Sequence, residues 1–300
     1  MPLASLLLPF LLAGTGAPTD RDLYGRTLER ALERAQTELQ GSLDLVVDHS
    51  RWENPWKATS EHYEVRTTHS YALAVEMARS LEFLRGEMVK LLGERSNPSG
   101  KAAIWIFPTL NAYNTFGQPY DTHSSFYGAF YAADQADRPV ATYYTSNRTQ
   151  LGMWVTHGAL HQFLDQAFGS QQLDPWISEG LAGYFALHWN WDFGKRELAN
   201  RVAQKRAFPL ERLIGDPINA YGPDNAEERF LELGMLFHFL LSYCEATRTG
   251  DGENASGPFR DFLRAAVRGE DVRRSEFARS LDQDLLMRED EFRSCDFAAR

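Results

Sequence analysis

Cysteine is scarce in this chain of 300 residues: Cys244 and Cys295 are the only two. At most one disulfide can form, between C-terminal helices, and two small buried thiols are the simpler expectation. Positive charge is also in short supply. Thirty-one Lys and Arg stand against 41 Asp and Glu, a formal net charge of -10 at pH 7. That balance argues against a nucleic-acid partner. Apolar runs long enough to span a bilayer are missing, so no transmembrane segment is expected. Repeats and long low-complexity tracts are absent. The chain does have material for a core, with 43% hydrophobic and 13% aromatic residues. Its length suits one large or two modest domains.

The N-terminus reads MPLASLLLPFLLAGTGAP. An apolar stretch, Leu6 to Leu12, precedes small residues, the order of a secretory signal peptide ending near Ala17. No Lys or Arg precedes the stretch, and Pro18 sits awkwardly for cleavage. The expected location is extracytoplasmic, either periplasmic or secreted. Residues 18–60 read as an N-terminal helix, Asp20 to Leu39, and a linker that includes a Trp- and Pro-containing loop, Arg51 to Ser60.

Residues 61–148 have a mixed α/β pattern. HYEVRT alternates like a strand, Ser70 is placed to cap a helix over 71–92, and AAIWIF is a short buried strand. A short helix over 110–116, a Gly/Tyr/Phe-rich stretch over 126–131 and a strand over 140–145 follow. Residues 149–300 carry helical patterns throughout. The fold class expected is α+β, with a small mixed half followed by an all-helical half and the site in the cleft between them.

The chemistry concentrates in Trp154–Phe185, WVTHGALHQFLDQAFGSQQLDPWISEGLAGYF. His157 and His161 are four apart on an apolar helix, so both imidazoles project from one face. Zinc peptidases place HExxH on such a helix, with two histidine ligands and a glutamate that activates the metal-bound water. Here the string is HGALH, and Gly158 stands where the glutamate would be. A third ligand must come from a second element. Glu179 is the candidate, because the intervening Gly, Ser, Asp and Pro permit a reversal between two helices.

With those residues in view, the chain resembles the gluzincin superfamily of zinc metallopeptidases. Within it, the chain is similar to a peptidase-MA-like bacterial family of largely unknown function, whose members read HExxHQF, a linker, then W-x-x-EGxAxYF. This chain reads HGALHQF and then WISEGLAGYF. The likeness runs over roughly residues 60–295. It implies a zincin-like fold, zinc as the cofactor, and His157, His161 and Glu179 as the metal ligands. Two positions depart from it. Gly158 replaces the general base, so no catalytic residue is assigned. Gly183 stands where many gluzincins carry a carboxylate that supports a ligand histidine.

A positioned general acid or base contributes about 10²–10⁴-fold in rate, roughly 3–5 kcal/mol. The leading expectation is therefore a pseudoenzyme: a metallopeptidase-like protein, inactive or weakly active, that holds zinc and binds a peptide or protein. The alternatives are a working zinc hydrolase whose base lies elsewhere, and a metal-free interaction scaffold. Two further residues are candidate supports. Asp165, four after His161, can hydrogen-bond a histidine, and is otherwise a solvated helix residue. Tyr184 can stabilise an oxyanion, and is otherwise a core aromatic. His188 and His238 read as packing residues, while His123 and Tyr127 border the cleft in a loop.

Overall fold

The computed structural model describes residues 48–118, 128–169, 173–216, 223–244, 258–270 and 289–295. The signal-peptide and first-helix expectations fall outside these residues, as do His123, Tyr127 and the side chain of Cys244. Cys295 is half-buried and packs against the core.

A five-stranded sheet occupies the N-terminal half, in the order β1-β2-β3-β5-β4. Its strands are β1 (Trp56–Thr59), β2 (Tyr63–Thr67), β3 (Ala102–Phe107), β4 (Ala129–Tyr131) and β5 (Val140–Tyr143). β2, β3 and β5 are parallel neighbours, while β1 and β4 run antiparallel at the two edges. The mixed pattern follows from the connections. The crossover from β2 to β3 contains the helix α1 (Tyr71–Leu92), whereas β4 returns to β5 through a short turn. Ser70 caps α1 as its sequence position suggests, accepting from the Leu73 amide at 3.2 Å.

β1 corrects one expectation. The loop over Arg51–Ser60 contains a strand, because Trp56–Thr59 pairs residue by residue with β2. Only Ala58 of β1 is fully buried, so its sequence shows too little alternation to mark a strand. β4 is as short, and its pairing with β5 turns part of the Gly/Tyr/Phe-rich stretch into an edge strand.

The helical half begins with α3 (Arg148–Phe168), after the short α2 (Leu110–Gly117). Asn147 caps α3 by accepting from the Gln150 amide at 3.1 Å. The helix lies on the sheet, and Gln162 ties it there. Its buried amide nitrogen donates to the carbonyls of Ala103, at 3.2 Å, and Arg138, at 2.8 Å. α4 (Pro175–Leu187) starts with proline in its first turn, where a missing N–H costs nothing. α5 (Trp191–Ala203), α6 (Leu210–Gly215), α7 (Pro223–Phe239), α8 (Pro258–Val267) and α9 (Glu289–Ser294) complete the half, with a π-helical turn after α7. Among the described residues no helix is long and apolar enough to cross a membrane.

α4 and α7 meet backbone to backbone. A Cβ built on Gly183 would lie 2.6 Å from the Phe230 carbonyl oxygen and 2.9 Å from the Gly234 Cα. One built on Gly234 would lie 2.6 Å from the Gly183 carbonyl carbon. Neither helix can carry a side chain at the crossing, so Gly183 is a packing requirement of this fold. A buried ion network holds the outer face of α7. The fully buried Glu232 accepts from Arg201 of α5 at 2.6 Å and from Arg293 of α9 at 2.9 Å.

Substituting Gly234→Ala should destabilise the protein by about 1–3 kcal/mol, the usual cost of overpacking. Gly86→Ala, in an exposed part of α1 with open space around its Cβ, should stabilise by up to about 1 kcal/mol. Urea denaturation of both variants beside the wild type checks the pair.

Candidate metal centre

The two histidines and Glu179 reach one place from two helices. His157 and His161 lie one turn apart in the middle of α3, with ring centroids 4.8 Å apart. α4 runs back past them and brings Glu179 into its second turn. The His157 and His161 Nε2 atoms are 3.2 Å apart. Glu179 Oε2 lies 3.6 Å from His157 Nε2, and Oε1 lies 3.5 Å from His161 Nε2. Tetrahedral zinc with bonds of about 2.0–2.1 Å separates its ligands by roughly 3.3–3.4 Å, 1.63 times the bond length. The histidine pair lies close to that value, while Glu179 turns a different oxygen toward each ring; with one ligand atom from each residue, the three atoms lie within 4.8 Å of one another. Among the described residues this is the one group of three or more His, Cys, Asp or Glu side chains placed to share a metal.

The surroundings of the cluster are dry. His157 is 8% exposed and Glu179 is 9% exposed. Burial, with the neighbouring His161, holds the His157 imidazole well below its usual range, in the neutral form that binds metal. Burial pushes the Glu179 carboxyl up, opposed by His161 and by Arg229. A carboxylate kept from water without a cation in contact is costly, and the group resists ionising. The nearby cation, Arg229 of α7, spends one guanidinium nitrogen on the carbonyls of Leu213 and Asp216, at 3.2 and 2.6 Å. The donor set, its spacing and its dryness fit a divalent ion such as zinc.

α7 supplies the wall behind His157. The Phe230 ring packs edge-on against the imidazole, with centroids 4.8 Å apart. The carbonyl of the same residue touches Gly183, so the glycine crossing fixes how close this wall stands. A carboxylate at position 183 would have to displace α7. The supporting role seen in gluzincins is sterically closed here.

Position 158 is closed in a similar way. A Cβ on Gly158 would lie 2.5 Å from Val140 Cγ1 of β5. Val140 is fully buried, so its methyl groups have little room to yield. The first carbon of any general base at 158 would collide with the sheet.

Both supporting candidates are engaged by other partners. The Asp165 carboxylate accepts from the Tyr131 hydroxyl at 2.6 Å and from Arg138, which ties α3 to β4 and the turn after it. Tyr184 lies five residues beyond Glu179, on another face of α4. Its ring packs with His188, Trp191 and His238. The packing reading of His188 and His238 holds. Sequence reasoning missed Phe230, Val140 and Gly234. A lone glycine inside the apolar run RFLELGMLF was the available sign of a close helix approach. Nothing local marked Val140.

Two cavities flank the centre. One, of about 480 Å³, includes His157, Trp154 and Phe230 in its wall. The other, of about 570 Å³, includes His161, Tyr131 and Asp165. Comparison with family models, with curated proteins and with solved structures returned no match.

Burial holds His188 below its usual range and, with His188 and Lys195 nearby, lowers His238 to about 4. The unfolded chain protonates these rings near 6.5, where the folded protein does not. Their contribution to stability is therefore present above about pH 6.5 and is lost as pH falls through about 4. In the presence of chelator, the thermal midpoint should fall across that interval. His238→Phe should flatten the decline, and differential scanning fluorimetry at stepped pH reads both.

Proposed function

We propose that this chain is a catalytically degenerate gluzincin with a zincin-like fold, exported from the cytoplasm, that holds zinc and binds a peptide or protein segment without cleaving it efficiently. One observation carries the reading: two imidazoles and a carboxylate converge within 4.8 Å of one another beside a general-base position that Val140 fills. His157, His161 and Glu179 would hold the metal. Bound there, zinc would polarise a carbonyl oxygen and acidify a water.

The chain's own residues explain why turnover would stay low. Gly158 offers no group to take a proton from water or return it to a leaving amine. Phe230 shields His157 on the α7 side. The Asp165 carboxylate is engaged by Tyr131 and Arg138. The site retains the means to bind and orient a ligand and lacks a proton carrier at the position where the motif places one.

Purified, tag-free protein should bind zinc at a stoichiometry near one. His161→Ala should abolish binding, and Glu179→Ala should weaken it by more than the roughly 10- to 100-fold that loss of an outer-shell partner costs. Elemental analysis after gel filtration reads both. A wild-type stoichiometry near zero after zinc supplementation would favour a metal-free scaffold.

Restoring the base requires room as well as a carboxylate. Gly158→Glu alone should misfold or stay inactive. Gly158→Glu combined with Val140→Ala should raise chelator-sensitive cleavage of a peptide library by about 10²–10⁴-fold. Robust wild-type cleavage that survives Gly158→Ala would place the base on another element and overturn the degenerate reading.

A further inference from the structure

The cavity beside His157 has a wall of definite chemistry. α3, α5 and α7 enclose it, and its volume of about 480 Å³ lies within the roughly 300–1,000 Å³ range of small-ligand sites. Trp154, Phe193 and Phe230 give it aromatic surface, and Glu197, Glu227 and Glu228 give it carboxylates. Among the described residues no Lys or Arg lines it. Glu228 is already paired, at 2.8 Å with Arg201 and 3.1 Å with Arg206. Glu197 and Glu227 come from different helices, and among the described residues neither forms an ion pair. The electrostatics agree with that count. The Glu227 carboxyl is pushed up by burial and by Glu228, and its charge helps to raise the neighbouring Tyr143 hydroxyl.

Aromatic faces and uncompensated carboxylates in one cavity select a planar organic cation. Guanidinium stacks on rings, pairs with carboxylates through a rigid fork of N–H donors, and is weakly hydrated for its charge. Ammonium has a smaller gain from the same wall. Anionic side chains would meet carboxylates with no Lys or Arg in the wall to receive them, and the His157 imidazole there is held in its neutral form. We infer that the cavity between α3, α5 and α7 binds the side chain of an arginine in a peptide or protein ligand, held between Glu197 and Glu227 against the Trp154 and Phe230 rings.

This inference rests on the peptide-binding reading of the site, because His157 connects the cavity to the metal centre. It does not require metal. The guanidinium would sit against α5 and α7, while the ligand backbone passes the histidines. Specificity would then come from the helical half and leave the metal ligands unchanged.

The test compares two blocked tripeptides, Ac-Ala-Arg-Ala-NH2 and the same sequence with citrulline. Citrulline keeps the shape and loses the charge. Titration calorimetry is run at low salt on zinc-supplemented and on chelator-treated full-length protein, with zinc content measured in both. The arginine peptide should bind at least about tenfold tighter, a difference of about 1.4 kcal/mol. The preference should shrink in high salt. The Glu197→Gln, Glu227→Gln double variant should lose it while its thermal midpoint stays unchanged, since both side chains face the cavity and not the core. Equal affinities, a preference that survives in the double variant, or no binding of either peptide would overturn the inference. A preference seen in protein that takes up no zinc would leave the inference standing and remove only the metal reading. Zinc binding without the preference would do the reverse.

Discussion

The crossing of α4 over α7 sets the geometry of everything around the candidate centre. Gly183 and Gly234 let two backbones touch where side chains would hold them about a methyl group or more apart. α4 carries Glu179, and α7 carries Arg229 and Phe230. Their separation therefore fixes how far the carboxylate stands from a guanidinium and how closely the aromatic wall covers His157. The buried Arg201–Glu232–Arg293 network holds α7 from its far side. A buried charge pair of this kind is weak evidence for net stability, but removing one partner would strand another. α7 is thus constrained on both faces.

Against that fixed wall, the cluster of two histidines and one glutamate is pushed toward its uncharged form. Burial drives His157 toward neutrality and drives Glu179 toward its protonated form. Both shifts come from the same lack of water. A divalent cation would keep the imidazole neutral and offset the cost of ionising the buried carboxylate. Core histidines usually find a simpler arrangement, such as the ring packing of His188 and His238 with Tyr184 and Trp191. The contrast between these two histidine pairs, in one helical half, is what gives the first pair its chemical meaning.

The two glycine departures from the gluzincin pattern are each tied to a specific contact. Gly158 accommodates Val140, and Gly183 accommodates α7. Neither position retains space for the side chain that the resemblance would put there. A side chain introduced at either position must overpack a core at protein density, so one substitution does not install it. The cavity between α3, α5 and α7, with its carboxylates and aromatic rings, has His157 as part of its wall.

Local pattern was enough to place most elements. Ser70 and its helix, the AAIWIF strand, the histidine helix and the start of α4 were all legible, because caps, alternation and 3.6-residue spacing act within a few residues. The four-residue spacing of His157 and His161 put both rings on one face for the same reason. The identity of Glu179 as their partner was also readable, from the reversal before Pro175. Tertiary structure decided the rest. β1 and β4 are strands because neighbours pair with them, since three or four residues carry too little alternation to declare it. Asp165 was drawn to Tyr131 and Arg138, on a strand and turn distant in sequence, and Tyr184 was turned to an aromatic cluster by its position on α4. Val140, Phe230 and Gly234 entered the site only through packing between elements. Their roles depend on distances across the chain, and a sequence specifies those only once it has folded.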